Sequence, residues 1–256
     1  MKIKTLFTVF GVSLLFFSSC ASHYQLKNVS RSRLVIDSRY DARPDAKAEA
    51  FLAPYKEKVD AVMSPVMGVA AHDMAAARPE SDLSNLLPDI LVWASKNYGE
   101  DPDFGIYNIG GIRAALSKGE VTYGDILDIA PFENKIVFIT LSGDKVMELF
   151  GQIAKRGGEG VSSGVQLVIT PDGHLVSARL HGKEINPNAA YRITTIDYIA
   201  QGNDQLTAFK SGTKLNEPGR DEDNSRFIIM DYFRQMHQEG KAVDSKVEGR
   251  ITIKNY

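Results

Sequence analysis

Asn108-Ile109-Gly110-Gly111-Ile112-Arg113 follows the short apolar run at 104–107, and its reading decides how the rest of the chain is placed. The Phe, Gly, Ile and Tyr ahead of it read as a strand. Two adjacent glycines let the backbone turn sharply and lie close to a ligand. The Arg two residues on carries a planar fork of donors that suits carboxylate or phosphate. A strand running into Asn-x-Gly-Gly-x-Arg is therefore a candidate anion-binding turn. Taken alone, it is equally a tight turn beside a solvated Arg.

Working outward, strands are expected at 34–36, 66–71, 135–141, 191–196 and 250–253, with a hairpin over 165–180 turning at Pro171-Asp172-Gly173. Helical spacing of apolar residues covers 45–63, 83–98, 123–129, 143–154 and 225–238. Pro54 implies a kink or a start in the first helix, and Pro88 is expected in the first turn of the second, where a missing N–H costs little. Ser142 is the expected cap of the fourth helix, and Asn224 or Ser225 of the last. Helices and hairpins interleave without a repeat or a long linker. This predicts an α+β fold, a mixed sheet with interleaved helices and hairpins, occupying 33–256 as one domain.

Three further segments combine turn chemistry with groups that hold ligands. In Pro131-Phe132-Glu133-Asn134 the proline ends a helix and leaves an aromatic in a loop, where it either plugs the core or stacks on a ligand. In the segment from Asp197-Tyr198 to Gly202-Asn203-Asp204, an aromatic and a carboxylate flank a glycine turn. That set can stack a flat ring and accept sugar hydroxyls, or simply start a helix and close a turn. In Arg78-Pro79-Glu80-Ser81-Asp82, a helix cap follows an Arg that is either a free basic group or solvated. The glycine-rich stretch 157–164 lacks the Lys-Ser/Thr ending of a phosphate loop and reads as a flexible connection.

The chain has five His, and none stands in a G-N-H or H-x-H pattern of the kind that metal phosphatases use. No G-x-S-x-G elbow is present. The reading is of a holder without its own catalytic apparatus: no cofactor and no metal in this chain, and no catalytic residue. A formal net charge of −2 argues against a general nucleic-acid surface, so no nucleic-acid partner is expected. Any affinity for anions must come from a few placed Arg and Lys side chains.

The first residues set the expected compartment. Lys2 and Lys4, an apolar run over 6–17 and then Ser18-Ser19-Cys20 make a signal peptide over 1–19. The lone Cys of the chain falls at the cleavage position, which points to lipid attachment at Cys20. The polar stretch 20–32 then reads as a tether, and the protein as lipid-anchored in the cell envelope on the periplasmic face of an outer membrane.

Together and in order, these segments resemble the C-terminal, substrate-binding domain of the 5′-nucleotidase family, from about residue 45 to the end. The most specific part is Asn108 to Arg113, then Gly119-Glu120-Val121-Thr122, then Ala130-Pro131-Phe132-Glu133-Asn134. The resemblance implies that Arg113 and Asn108 of the first motif, with Arg78, meet the substrate's phosphate. It implies that Gly110 binds substrate with no phosphate role of its own, that Phe132 and Tyr198 sandwich the base, that Asn134 contacts the base edge, that Gly164 lies near the base and that Asp204 accepts the ribose hydroxyls. The stretch after Arg78 is one residue shorter than the usual pattern, and Asn203 and Gln205 stand where the family usually has Gly. Gln205 is expected to place bulk near the ribose. In the family, two metals sit in a separate N-terminal phosphatase domain. The chain thus resembles the nucleotide-binding subunit of a split extracytoplasmic 5′-nucleotidase. Its expected partners are a nucleotide and a separate metallophosphatase polypeptide that holds the divalent metals. The alternative is a non-catalytic nucleotide- or nucleoside-binding lipoprotein.

Overall fold

The computed structural model describes residues 24–254. The expected signal peptide at 1–19 and lipidation at Cys20 lie outside the described residues. The chain divides into two units, Met1–Phe51 and Leu52–Tyr256, and the second holds every described strand. Residues 34–36, expected as a strand, form none and are exposed. Branched apolar side chains favour an extended backbone, but a strand also needs a partner to take up its hydrogen bonds.

In chain order the elements are α1 (Ala46–Met63), β1 (Val66–Ala70), α2 (Asp82–Ala94), β2 (Phe104–Tyr107), β3 (Gly119–Thr122), α3 (Tyr123–Ile129), β4 (Ile136–Ser142), α4 (Gly143–Lys155), β5 (Gly160–Val161), β6 (Val165–Ile169), β7 (Leu175–Leu180), β8 (Lys183–Glu184), β9 (Ala190–Ile196), α5 (Asp197–Ala200), β10 (Thr213–Asn216), α6 (Ser225–Gln238) and β11 (Ile251–Ile253). The fold is α+β, as the interleaved patterns predict. A five-stranded sheet has the order β10-β4-β9-β2-β5, a four-stranded sheet the order β11-β6-β7-β8, and β1 pairs with β3. In the larger sheet β4 runs antiparallel to β9, from Ile136 opposite Ile196 to Ser142 opposite Ala190. β2 runs parallel to β9. Strands β5, β8 and β10 are two to four residues long, too short to leave a periodic trace in the sequence.

β4 is apolar and buried except at Thr140 and its last residue, Ser142, because helices cover both faces of its sheet. Phe104 of β2 packs against Phe150 of α4 with ring centroids 5.5 Å apart. The next residue, Gly105, lies against Pro88 and Val92 of α2. Successive strand residues face opposite sides, so α4 and α2 cover opposite faces. Val146, Leu149, Phe150, Ile153 and Ala154 recur at three- and four-residue spacing on α4, and all are buried. The far side of α4 meets β7 and so joins the smaller sheet to the larger.

Some local expectations need correction. Pro88 lies inside α2 and not in its first turn, because the helix already starts after Ser81, whose hydroxyl and Ser84 form a reciprocal cap. Ser142 stands at the cap position of α4 but makes no capping hydrogen bond. Asn224 caps α6, its side chain accepting from the Arg226 N–H at 3.1 Å. α1 continues through Pro54, and none of its residues is buried.

The core contact of α4 gives a test of the packing. Phe150→Ala should destabilise the protein by about 3–5 kcal/mol. Phe132→Ala, at a ring that is 47% exposed, should cost less than about 1 kcal/mol. Denaturant unfolding of the two variants checks the contrast, and equal losses would contradict this packing.

Candidate functional site

The direction of three strands brings distant segments to one edge of the larger sheet. β2 and β9 are parallel, so both end at that edge, and the antiparallel β4 begins there. α4 leaves the opposite end of β4 and returns, which carries its own C-terminus back to the same side. Four loops therefore converge: 108–113 after β2, 130–135 before β4, 156–159 after α4, and 197–205 after β9.

They enclose a cavity of about 300 Å³ lined by Asn108, Gly110, Gly111, Arg113, Phe132, Asn134, Arg156, Tyr198 and Asp204. That volume is at the small end of the range for small-molecule sites. Seven of the nine candidate binding residues read from the sequence are in this lining. Arg78 and Gly164 are not. Arg78 donates to the Gly158 carbonyl at 2.9 Å and to Glu159 at 2.5 Å. Gly164 lies beneath the His181 ring, which occupies the place a side chain would take. The second guanidinium of the lining is Arg156, which the sequence reading missed. A basic residue in the last turn of a helix is what the helix dipole favours anyway, so nothing in the sequence sets Arg156 apart.

Each loop is held from behind. The Arg113 N–H donates to the Ile129 carbonyl at 2.9 Å, and the Asn134 carbonyl accepts from the Ser225 N–H at 2.8 Å. Asn108 is buried, and its Nδ2 donates to Asp204 Oδ2 at 2.7 Å. Its Oδ1 is buried without a hydrogen bond among the described residues. That oxygen sits 2.7 Å from where a Cβ on Gly111 would stand, so a side chain there would have to displace the Asn108 amide.

Asp204 is the most heavily contacted group of the lining. Besides Asn108, the Tyr198 hydroxyl donates to its Oδ1 at 3.3 Å, and Arg156 Nη2 lies 3.5 Å from its Oδ2. The carboxylate's charge, then partial burial, push the Tyr198 phenol above its ordinary range. Asp204 and Gln205 have φ of +53° and +63°, left-handed backbone that costs on the order of 1 kcal/mol each for side-chain-bearing residues. The strain falls on these two residues and not on Asn203, whose side chain instead donates to the Tyr198 carbonyl at 2.7 Å and closes the turn. Gln205 is exposed and is not part of the lining, so it adds no bulk to this cavity.

The lining thus offers two guanidiniums, two half-exposed rings, two amides and one carboxylate. Among the described residues, no three His, Cys, Asp or Glu side chains are grouped to hold a metal ion. The lining's single carboxylate and its guanidiniums do not make a donor set for a metal ion. His72 meets Asp244 and the Ser245 carbonyl at 3.1 and 3.0 Å.

Residues 66–211 match the family model described as "5′-nucleotidase, C-terminal domain". The chain is 34% identical over 164 residues to endonuclease YhcR of Bacillus subtilis, covering 61% of this chain and 13% of that protein. It is 26% identical over 181 residues to a 5′-nucleotidase of Vibrio vulnificus, covering 67% of this chain and 31% of that one. A solved 5′-nucleotidase precursor of Thermus thermophilus superposes with a TM-score of 0.70 at 27% identity, over 82% of this chain and 43% of the other. The chain therefore spans less than half the length of these relatives.

The contact between Asp204 and Tyr198 is open to direct measurement. Removing the charge by Asp204→Asn should lower the Tyr198 phenol pKa relative to wild type, since that charge is the leading cause of its rise. NMR titration of labelled tyrosines, assigned with Tyr198→Phe, reads this. An unchanged pKa would mean that the two groups do not meet in solution.

Proposed function

Because this chain belongs to the 5′-nucleotidase C-terminal domain family, we propose that it is the nucleotide-binding component of an extracytoplasmic 5′-nucleotidase. In this reading it presents the substrate phosphate to a metal-bearing phosphatase unit carried on another polypeptide. One observation carries the reading: Arg113, Arg156, Phe132, Tyr198, Asn134 and Asp204, scattered over the chain, line a single cavity. Each has a use for a nucleotide. The guanidiniums offset phosphate charge, each charge-assisted bond giving roughly 1.5–3 kcal/mol. The rings stack on the base at about 1–3 kcal/mol per face. Asn134 can bond a base edge, and Asp204 can accept the ribose hydroxyls. Gly110 leaves the backbone of its turn open to the ligand. No residue of the lining is a candidate to activate water, so hydrolysis falls to the partner and its divalent metals.

The same proposal places the chain at the cell envelope, held by lipid on Cys20, on the strength of the leader-like residues 1–19 and the lone Cys. There it would serve nucleotide scavenging, since phosphorylated nucleotides cross membranes poorly.

Calorimetry with AMP, adenosine and a UDP-sugar tests the pocket. Phe132→Ala should weaken every ligand about tenfold or more. Arg113→Ala should weaken AMP to a similar degree and adenosine little. Binding indifferent to both changes would exclude this cavity. Hydrolysis is tested by mixing the protein with a separately produced exported metallophosphatase chain. Activity that appears only in the mixture supports the split enzyme. Binding without any gain of activity would instead leave a non-catalytic nucleotide-binding lipoprotein. Cys20→Ala should move the protein from the membrane to the soluble fraction, and a variant still membrane-bound would refute the lipid anchor.

A further inference from the structure

Glu159 lies in the glycine-rich connection between α4 and β5, and its side chain is fully buried. It does not line the cavity, yet three donors meet on it, one from the end of α4 and two from distant segments. Its Oε1 accepts from Arg156 Nε and from Arg78 Nη2, each at 2.5 Å. Its Oε2 accepts from the Ile109 N–H at 2.6 Å. The loop can bring the carboxylate here because Gly158 presses against Pro79. A Cβ on Gly158 would stand 2.3 Å from the Pro79 carbonyl oxygen, and its φ of +114° also calls for glycine.

A buried ion pair is weak evidence for stability, since well-packed apolar groups would often serve as well. The reason for a charge at this place is better sought in what it holds. Arg156 is in the cavity wall, and with its Nε taken by Glu159 its Nη2 lies beside Asp204. Ile109 belongs to the turn that carries Asn108 and Arg113. Arg78 lines no part of the cavity but joins the same charge cluster through this one oxygen. Three guanidiniums and two carboxylates thus gather at one end of the sheet, and the excess is positive.

We propose that Glu159 is a positioning residue for the anionic part of a bound nucleotide. It does not touch the ligand. It fixes the Arg156 guanidinium in the arrangement that receives phosphate before the ligand arrives. A guanidinium already held in place loses less rotamer freedom on binding. The inference rests on the nucleotide reading above and names a residue which that reading does not use.

Calorimetry of the purified protein with AMP and adenosine tests it. In Glu159→Gln the amide keeps the shape but brings a donor against guanidinium and backbone N–H donors. AMP affinity should fall about tenfold, while adenosine affinity changes by less than about threefold. The double variant Glu159→Gln/Arg156→Gln should bind AMP no more weakly than Arg156→Gln alone, because Glu159 acts through that side chain. Equal losses for both ligands, no loss for AMP, or additive losses in the double variant would each overturn the proposal. If Arg113→Ala weakens AMP while Glu159→Gln does not, the nucleotide reading stands and this inference alone falls. A wild-type protein that binds neither ligand overturns both. Should Glu159→Gln fail to fold by circular dichroism, Glu159→Asp replaces it, with the same selective loss expected from its shorter reach. Failure of both to fold would mark the residue as a determinant of the fold and sink the positioning role.

Discussion

Parallel pairing of β2 with β9 is the constraint on which the rest depends. Parallel neighbours cannot be joined by a tight turn, so a long stretch of chain must leave β2 and come back before β9 begins. That stretch contains β3, α3, β4, α4, β5 and three of the four strands of the smaller sheet. Because β2 and β9 point the same way, the loops that follow them open on the same side, and the antiparallel β4 contributes the loop that precedes it. Residues as far apart as Asn108 and Asp204 then stand 2.7 Å from each other. Without that shared direction, the turn after β2 and the turn after β9 would lie at opposite ends of the sheet, with no cavity between them.

The charged groups brought together this way already have partners among one another. Asp204 accepts from Asn108 and Tyr198 and lies near Arg156; Arg156 in turn is held by Glu159. A cavity with this lining is preorganised, and it also sets a condition on any ligand. Hydroxyls that bond Asp204 must share or displace the Tyr198 contact, which at 3.3 Å is longer and more easily given up than the 2.7 Å contact from Asn108. The carboxylate is therefore fixed on one oxygen and adaptable on the other.

The sequence was most informative where local chemistry and tertiary position coincide. β4 reads as buried because it is apolar on both faces, and α4 because its apolar residues keep one stripe. The loops were legible as turns with reactive groups, since Gly-Gly-x-Arg, Pro-Phe and Gly-Asn-Asp each need a bend whatever surrounds them. What could not be read was which side chain faces which. Arg78 and Arg156 are both basic residues beside glycine or proline, and only the return of α4 decides that the second enters the cavity. Glu159 stands among glycines like a solvated residue, and its burial comes from the segments at 78–79 and 109 closing over it. The run at 34–36 failed for the opposite reason: its propensity is local, and nothing pairs with it.

The left-handed pair at Asp204 and Gln205 shows how a departure from a family pattern can be absorbed. Where the family usually carries Gly at 203 and 205, a side chain at either position would be expected to crowd the site. At 203 the side chain is turned to use, closing the turn on the Tyr198 carbonyl. At 205 the strained backbone leaves the side chain exposed and outside the cavity. Strain of this kind persists only where its surroundings over-determine it, and the three groups around the Asp204 carboxylate supply that determination. The cost of keeping non-glycine residues in this turn is therefore carried by the contacts of the same carboxylate that faces the cavity. A change that loosened Asn108 or Tyr198 would release the turn as well as the carboxylate, so the shape of this loop and the position of its charge are one property.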